Sequence, residues 1–382
     1  MDYYITKYDV EIGQGGECVV LEDSIMHKGR LATAGSKMLE SFISPIDATV
    51  VTRLEAAGIR ILGKTMMDEF GIAGLLPSNR ADTKTATIPN SECGAVAAVA
   101  EGAASFALCN DYTGDIGRQA AAKGLCYLHP TYGTVSRYGL IPAASSMDQI
   151  GIVCKTPADG ERILSIIRGN DSNDGAMFPN SEFGIRNMEL SVDRIKIGVP
   201  MNVIGEAGGH SAIDEFVKGF EIVEFELEHF EVFAQVMQIL CFAEISGNLS
   251  RYDGIKFGYR AEAINDLHEL YTKTRTEAFG IGIKLAAIMG MMVLSHENYE
   301  RYYDKAMKIR RLIKDSLSFD KYDAIIMPLA GGQKDARPAL CALPRLCGLP
   351  AMTVPASDGG FALVADANRE DVLFAALGKV TI

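Results

Sequence analysis

The sequence lacks the residue patterns that mark most metal and redox proteins. Its six histidines show no paired spacing and its eight cysteines follow no regular zinc-binding spacing. Neither a histidine-based metal site nor a Ser-His-Asp triad is therefore expected. Because no secretory signal is recognisable, the cysteines are expected to be reduced thiols. We expect no metal and no cofactor.

Positive charge is also scarce. The 37 Lys and Arg residues are outnumbered by 49 Asp and Glu residues, which gives a formal net charge of −12. Binding to a phosphate backbone depends on clustered Lys and Arg side chains. Direct binding to nucleic acid is therefore not expected, and contact with a tRNA would need a partner protein.

Long apolar runs are missing as well. The N-terminus has no cationic start followed by an apolar segment, and the longest apolar stretch, residues 279–294, is interrupted by Lys284. That stretch is too short to span a bilayer comfortably. We expect a cytoplasmic protein without a membrane segment, in which residues 279–294 form a buried helix.

What is present is the composition of a globular protein, with 48% hydrophobic and 23% charged residues and no linker or internal repeat. A single domain over residues 1–382 is expected. Helix and strand patterns alternate, which predicts a layered α/β architecture. Asp47 is predicted to cap a helix that Gly58 ends, and Thr156 a helix that ends before Gly169.

Two consecutive motifs carry a family resemblance. Residues 111–124 read DYTGDIGRQAAAKG, and residues 125–151 read LCYLHPTYGTVSRYGLIPAASSMDQIG. They resemble the amidase signature family, in which the first motif reads roughly D-T-G-G-S-I-R-Q-P-A-A-F-C-G. Further segments, in the same order, look like the A subunits of glutamyl-tRNA(Gln)/aspartyl-tRNA(Asn) amidotransferases: residues 34–39, 47–51, 61–70, 248–254, 271–275 and 348–355.

The resemblance implies an amidase signature fold, with a mixed central sheet sandwiched between helical layers. Members of this family usually have several helices before the motif that corresponds to residues 19–25, and a longer segment between the positions of Lys64 and Ser91. The domain is therefore expected to be shortened at the N-terminus and in the pocket loops.

The resemblance also assigns three catalytic positions. Family enzymes use a neutral lysine, a bridging serine and a nucleophilic serine. The lysine position holds Glu22 in the segment VVLEDSI, the bridging position holds Ser91 in PNSECGA, and the nucleophile position holds Asp115. The interval from Ser91 to Asp115 is that of the family pattern. Two of the three catalytic groups are replaced.

Neighbouring positions depart from the family too. Tyr112, Thr113 and Gly114 correspond to the oxyanion-hole region, where Thr113 replaces a glycine, so that the hole is expected to be misshapen. Residues 117–119 no longer carry the family's arginine and proline at their usual places. Residues 284–287 read KLAA where the glutamine-using relatives have an arginine-rich segment.

These replacements predict a catalytically inactive protein that acts as a scaffold, a paralogous subunit or a ligand-binding protein. An amidotransferase B-type subunit or a second copy is the expected partner, and a small amide or amino acid the expected ligand. Attack by Asp115 on an amide would give an anhydride and expel a poor amine leaving group.

Two alternatives stay open. The first is an active amidase or amidotransferase subunit with a site rebuilt around Glu22, Ser91 and Asp115, in which Glu22 activates water. The second is a carboxylate site for Mg²⁺ or Ca²⁺. Cys93 could be a nucleophile in the former serine loop, although a packing role is expected.

Overall fold

The computed structural model describes residues 3–9, 16–76, 93–177, 194–207, 211–256, 258–329 and 337–379. Ser91, the expected bridging serine, lies outside these residues. The structural account of the site therefore depends on Glu22, Asp115 and their neighbours.

One mixed sheet contains the eleven strands of the described residues, in the order β1-β3-β2-β4-β6-β5-β10-β11-β9-β7-β8. β2 runs parallel to β3 and β4, β7 runs parallel to β8 and β9, and the other pairs are antiparallel. The strands are β1 Tyr4–Lys7, β2 Cys18–Glu22, β3 Arg60–Thr65, β4 Phe106–Asn110, β5 Cys126–His129, β6 Ile150–Cys154, β7 Lys196–Pro200, β8 Glu221–Phe225, β9 Ala324–Pro328, β10 Ala351–Val354 and β11 Phe361–Ala365.

Helices cover both faces of this sheet, as the resemblance implied. α1, α4 and α12 pack together on one face, and α2, α3, α7, α9, α10 and α11 belong to the other. Their bounds are α1 Thr49–Ala56, α2 Gly94–Ala100, α3 Asp115–Ala122, α4 Pro157–Ile167, α5 Met201–Ala207, α6 Ser211–Val217, α7 Phe233–Leu249, α8 Leu267–Ala278, α9 Ile281–Leu294, α10 Lys305–Ser316, α11 Arg337–Cys347 and α12 Glu370–Gly378.

Strand alternation decides which side chains meet at the site. In β2, Val19 and Leu21 join the core beneath α1, whereas Val20 joins the core beneath α2. Since successive side chains point to opposite faces, Glu22 follows Val20 to the α2 face. In β4, Ala107 and Cys109 lie on that same face.

The predicted helix starts are confirmed in one case and corrected in the other. The Thr156 hydroxyl accepts the N–H of Asp159 at 3.2 Å and begins α4, as expected. α1 lies where it was predicted, but its N-cap is Ala48 and no side chain caps it. Asp47 instead accepts the backbone N–H of Lys28 at 2.7 Å, because the preceding loop folds back on this carboxylate.

The helix expected within residues 279–294 is present as α9, but the expectation that it is buried is wrong for one of its faces. Ile283, Ala286 and Val293 are buried against α7, whereas Ile288 and Met291 are each 60% exposed. Among the described residues, one helical segment, Phe230–Leu249, is long and apolar enough to cross a membrane, and half of it is buried inside the protein.

Candidate functional site

Glu22 ends β2 and is only 1% exposed. The Ser24 hydroxyl donates to its carboxyl group at 2.5 Å. Burial raises the pKa of Glu22 well above its usual range, and the neighbouring Cys93 and Asp68 act in the same direction. Uncharged Glu22 is therefore the form that this environment favours.

Two thiols complete a buried cluster with Glu22. Cys93 immediately precedes α2, and Cys109 lies in β4, beside β2. The ligand atoms of Glu22, Cys93 and Cys109 all lie within 4.8 Å of one another. Burial, together with a hydrogen bond to Cys93, raises the pKa of Cys109 well above its usual range.

A buried lysine and aspartate lie directly behind this cluster. The Lys64 amine, fully buried in β3, is 3.5 Å from a carboxylate oxygen of Asp23 and donates to the Asp23 carbonyl at 3.2 Å. Thr33 also donates to the Asp23 carboxylate, through its N–H at 2.8 Å and through its hydroxyl. Burial lowers the pKa of Lys64, although Asp23 and Glu22 favour its charged form. The Lys64 amine therefore fixes both the side chain and the backbone carbonyl of Asp23.

The turn before α3 depends on Asp111. Its carboxylate accepts the N–H of Gly114 at 2.8 Å and that of Gly117 at 2.9 Å, and forms a buried ion pair with Arg345 at 2.8 Å. Gly114 has φ +85°, and a Cβ atom there would lie 2.2 Å from the Cβ of Cys341. Only glycine fits this position without movement of α11.

Asp115 is the first residue of α3 and is held by its own helix. Its carboxylate pairs with Arg118 and accepts from the Gln119 side chain at 2.6 Å. The side-chain amide oxygen of Gln119 accepts the backbone N–H of Cys93 at 2.7 Å. The positions of Glu22 and Asp115 are thus linked through Cys93 and Gln119.

Side chains fill the region that is expected to correspond to the family's oxyanion hole. Tyr112 is fully buried and its hydroxyl donates to the Phe70 carbonyl at 2.8 Å. The Thr113 hydroxyl accepts the N–H of Asp115 at 3.3 Å and packs so close to Gly74 that a Cβ there would be 2.5 Å away. The backbone N–H of Asp115 is therefore already used in a hydrogen bond to Thr113.

Asp68 adds a third carboxyl group to this region. It accepts the N–H of Ala73 at 2.6 Å. Burial raises the pKa of Asp68 to about 7, and Asp115 contributes to the rise.

The sequence motifs did not identify Cys109, Asp68 or Arg345 as members of the site. The signal for Cys109 is the pairing of β2 with β4, in which Leu21 lies opposite Leu108.

In the segment 284–287, Ala286 is buried and Lys284 donates to the Thr276 carbonyl at 2.7 Å.

Known proteins share this fold and much of this sequence. The A subunit of the glutamyl-tRNA(Gln) amidotransferase from Symbiobacterium thermophilum is 36% identical over 381 residues, covering 91% of this chain and 78% of that protein. The A subunit of the same enzyme from Lachnoclostridium phytofermentans is 36% identical over 89% of this chain and 75% of its own length.

Solved structures agree. The crystal structure of the corresponding Thermotoga maritima protein superposes with a TM-score of 0.73 and 27% identity, covering 98% of this chain and 85% of that one. The peptide amidase of Stenotrophomonas maltophilia has the same fold, with a TM-score of 0.72 and 23% identity over 94% of this chain and 81% of its own. The Amidase family profile matches residues 16–336. The protein therefore belongs to the amidase signature family.

Proposed function

We propose that this protein is an A-type amidotransferase subunit that binds a small carboxamide, such as glutamine, and supplies ammonia to a B-type partner. The similarity to A subunits over about nine-tenths of the chain supports this role. The observation that carries the proposal is the turn before α3, whose backbone is fixed by Asp111, Gly114 and Arg345 just before the position expected to correspond to the family's nucleophile.

The chemistry of such a protein differs from that of the family's serine enzymes. Asp115 cannot form an ester intermediate, and its carboxylate is engaged by Arg118 and Gln119. Water is therefore the nucleophile in this proposal, and Glu22 is the nearest candidate to direct it. Since burial favours uncharged Glu22, the group must lose its proton before it can accept one from water.

The expectation of an inactive protein becomes the second candidate function: a subunit that binds its partner without hydrolysing an amide. The same engagement of Asp115 by Arg118 and Gln119 favours it. In both cases we place the protein in the cytosol, and with a net charge of −12 any contact with tRNA would be made by the partner.

Ammonia release tests the proposal. Purified protein, alone and with a B-type partner, would be given glutamine, asparagine and an aryl amide. We expect release from at least one amide that falls by about 10²-fold or more in Glu22→Gln, as general base catalysis predicts. Glu40→Gln, a change at an exposed glutamate away from the cluster, is the matched control and should leave the rate unchanged.

Two other outcomes would be decisive. A stable complex with the B-type partner but no ammonia from any amide would establish the second candidate. Ammonia release that survives in Glu22→Gln would show that Glu22 does not direct the water.

A further inference from the structure

We propose that Glu22, Cys93 and Cys109 form a binding site for a zinc ion. The three residues come from separate elements, the end of β2, the residue before α2 and the middle of β4. All three are buried, and their ligand atoms lie within 4.8 Å of one another. Among the residues that the structure describes, this is the one such group of potential ligands.

The donor atoms select the kind of metal. Two thiolates and one carboxylate suit zinc, which binds sulfur at about 2.3 Å and oxygen at about 2.0–2.2 Å in tetrahedral geometry. Mg²⁺ and Ca²⁺ prefer oxygen ligands alone, so the cluster does not suit the cations that the carboxylates first suggested. Tetrahedral zinc would separate its ligand atoms by roughly 3.5–3.8 Å, so the cluster has to contract by at most about 1 Å.

The surroundings of Glu22 support a ligand role. The Ser24 hydroxyl donates to its carboxyl group, and a hydrogen bond of this kind orients a metal-binding carboxylate. The buried amine of Lys64 lies close enough to favour the charged form of Glu22. It would partly offset the negative charge of one carboxylate and two thiolates around a divalent ion.

Simple packing is the competing explanation, and it does not account for the glutamate. Two buried cysteines are ordinary core residues. A carboxyl group that is 1% exposed between them is costly, and an apolar side chain of similar size would fill the space at lower cost. A metal ion would use all three side chains at once.

A zinc ion at this site would also provide a way to activate water, which the proposed function lacks. Three protein ligands leave one tetrahedral position for water, whose pKa zinc would lower towards neutrality. With zinc bound, the ion would activate the water, and Glu22 would act as its ligand instead of as the base. This consequence rests on the proposed function, whereas metal binding itself does not. The two can therefore be tested separately.

Cobalt(II) titration gives a readout that is independent of activity. The full-length protein would be treated with a chelator and a thiol reductant and then titrated with Co²⁺, followed by displacement with Zn²⁺. We expect one ion per chain, a thiolate-to-cobalt absorption in the near ultraviolet and the visible bands of a tetrahedral ion. Zinc should also raise the Tm of the protein, since it binds the folded state.

Variants locate the ion. Loss of a hydrogen bond to a metal ligand typically weakens metal affinity by about 10–100-fold. We therefore expect Ser24→Ala to bind the metal about 10–100-fold more weakly. Loss of a ligand in Cys93→Ser, Cys109→Ala or Glu22→Gln should weaken it by at least about 100-fold. Cys154→Ala is the matched control, because Cys154 and Cys126 are buried opposite each other on β6 and β5, outside the cluster.

The results separate the possibilities. No thiolate absorption, or absorption that persists in Cys109→Ala and disappears in Cys154→Ala, would overturn the site. If a ligand variant does not fold, Ser24→Ala still decides, because unchanged affinity in that variant contradicts a ligand role for Glu22. Metal binding without ammonia release would leave the site in place and reject the proposed hydrolysis.

Discussion

Asp111 and Asp115 stand on the same turn, four positions apart, and their surroundings differ completely. The Asp111 side chain is fully buried and binds two backbone N–H groups and Arg345 of α11. Asp115 is 17% exposed and its side chain contacts Arg118 and Gln119 of its own helix. The first carboxylate joins distant parts of the fold, whereas the second satisfies only local groups. A substitution at Asp115 is therefore expected to leave the turn intact, whereas one at Asp111 is not.

The largest expected effect on stability comes from removing the carboxylate of Asp111, which joins distant parts of the fold. Asp111→Ala leaves the buried Arg345 guanidinium and the N–H groups of Gly114 and Gly117 without their acceptor. Breaking a buried ion pair from one side typically costs about 3–5 kcal/mol. We expect a loss of that size in the free energy of unfolding, measured by denaturant titration.

Asp115→Ala is the control for that measurement. Its pair with Arg118 is partly exposed and lies within one helix, so that its loss should cost at most about 1 kcal/mol. Equal losses in the two variants would remove the distinction between the two aspartates.

Contacts local in sequence could be predicted, and those that depend on chain pairing could not. Thr156 was expected to begin α4, and its hydroxyl does so by binding an N–H three residues away. Asp47 was expected to cap α1 on the same reasoning, but the nearby N–H of Lys28 takes its carboxylate. A propensity rule cannot show which of two competing donors wins.

The site shows the same limit. Motif order predicts Glu22 at the lysine position and Asp115 at the nucleophile position. The proximity of Cys109 to Glu22 follows from the β2–β4 pairing, and the pair of Asp111 with Arg345 spans most of the chain. Neither residue spacing nor composition contains that information, because each contact is fixed only when the sheet and α11 are assembled.

A pH-dependent effect is expected at Asp68, whose pKa is raised to about 7 first by burial and then by Asp115. The unfolded chain loses this proton near pH 4 and the folded protein near pH 7. The contribution of Asp68 to the free energy of unfolding is therefore lost as the pH rises from about 4 to about 7. Asp68→Asn removes the penalty, and because Asp68 is partly exposed we expect a gain of about 1–3 kcal/mol at pH 8 and little gain at pH 4.

Thermal and denaturant unfolding at the two pH values would measure this difference. The comparison of the two aspartates is sharpened by a second variant, Asp115→Asn, which should lower the pKa of Asp68 and move the pH window downwards. A gain in Asp68→Asn that is the same at pH 4 and pH 8 would contradict the assignment of the penalty to this carboxyl group.

The smallest effect is expected from restoring the family's catalytic residues. Glu22→Lys with Asp115→Ser rebuilds the nominal lysine and serine. The Thr113 hydroxyl would still accept the N–H of residue 115, and Arg118 would lose its carboxylate partner beside the new serine. Since one oxyanion donor typically contributes ~10²–10³ in rate, two substitutions should not create a working serine site.

We expect the double variant to fold and to show at most weak ester or amide hydrolysis. A serine-directed sulfonyl fluoride should inhibit none of its glutamine turnover. Adding Thr113→Gly frees the N–H of residue 115, although Tyr112 and residues 117–119 still differ from the family. The triple variant should therefore exceed the double variant without reaching efficient turnover. Robust, inhibitor-sensitive glutamine hydrolysis by the double variant would show that Thr113 does not obstruct the oxyanion hole. Any difference in reactivity from the family's serine enzymes would then rest on residues 22 and 115 alone.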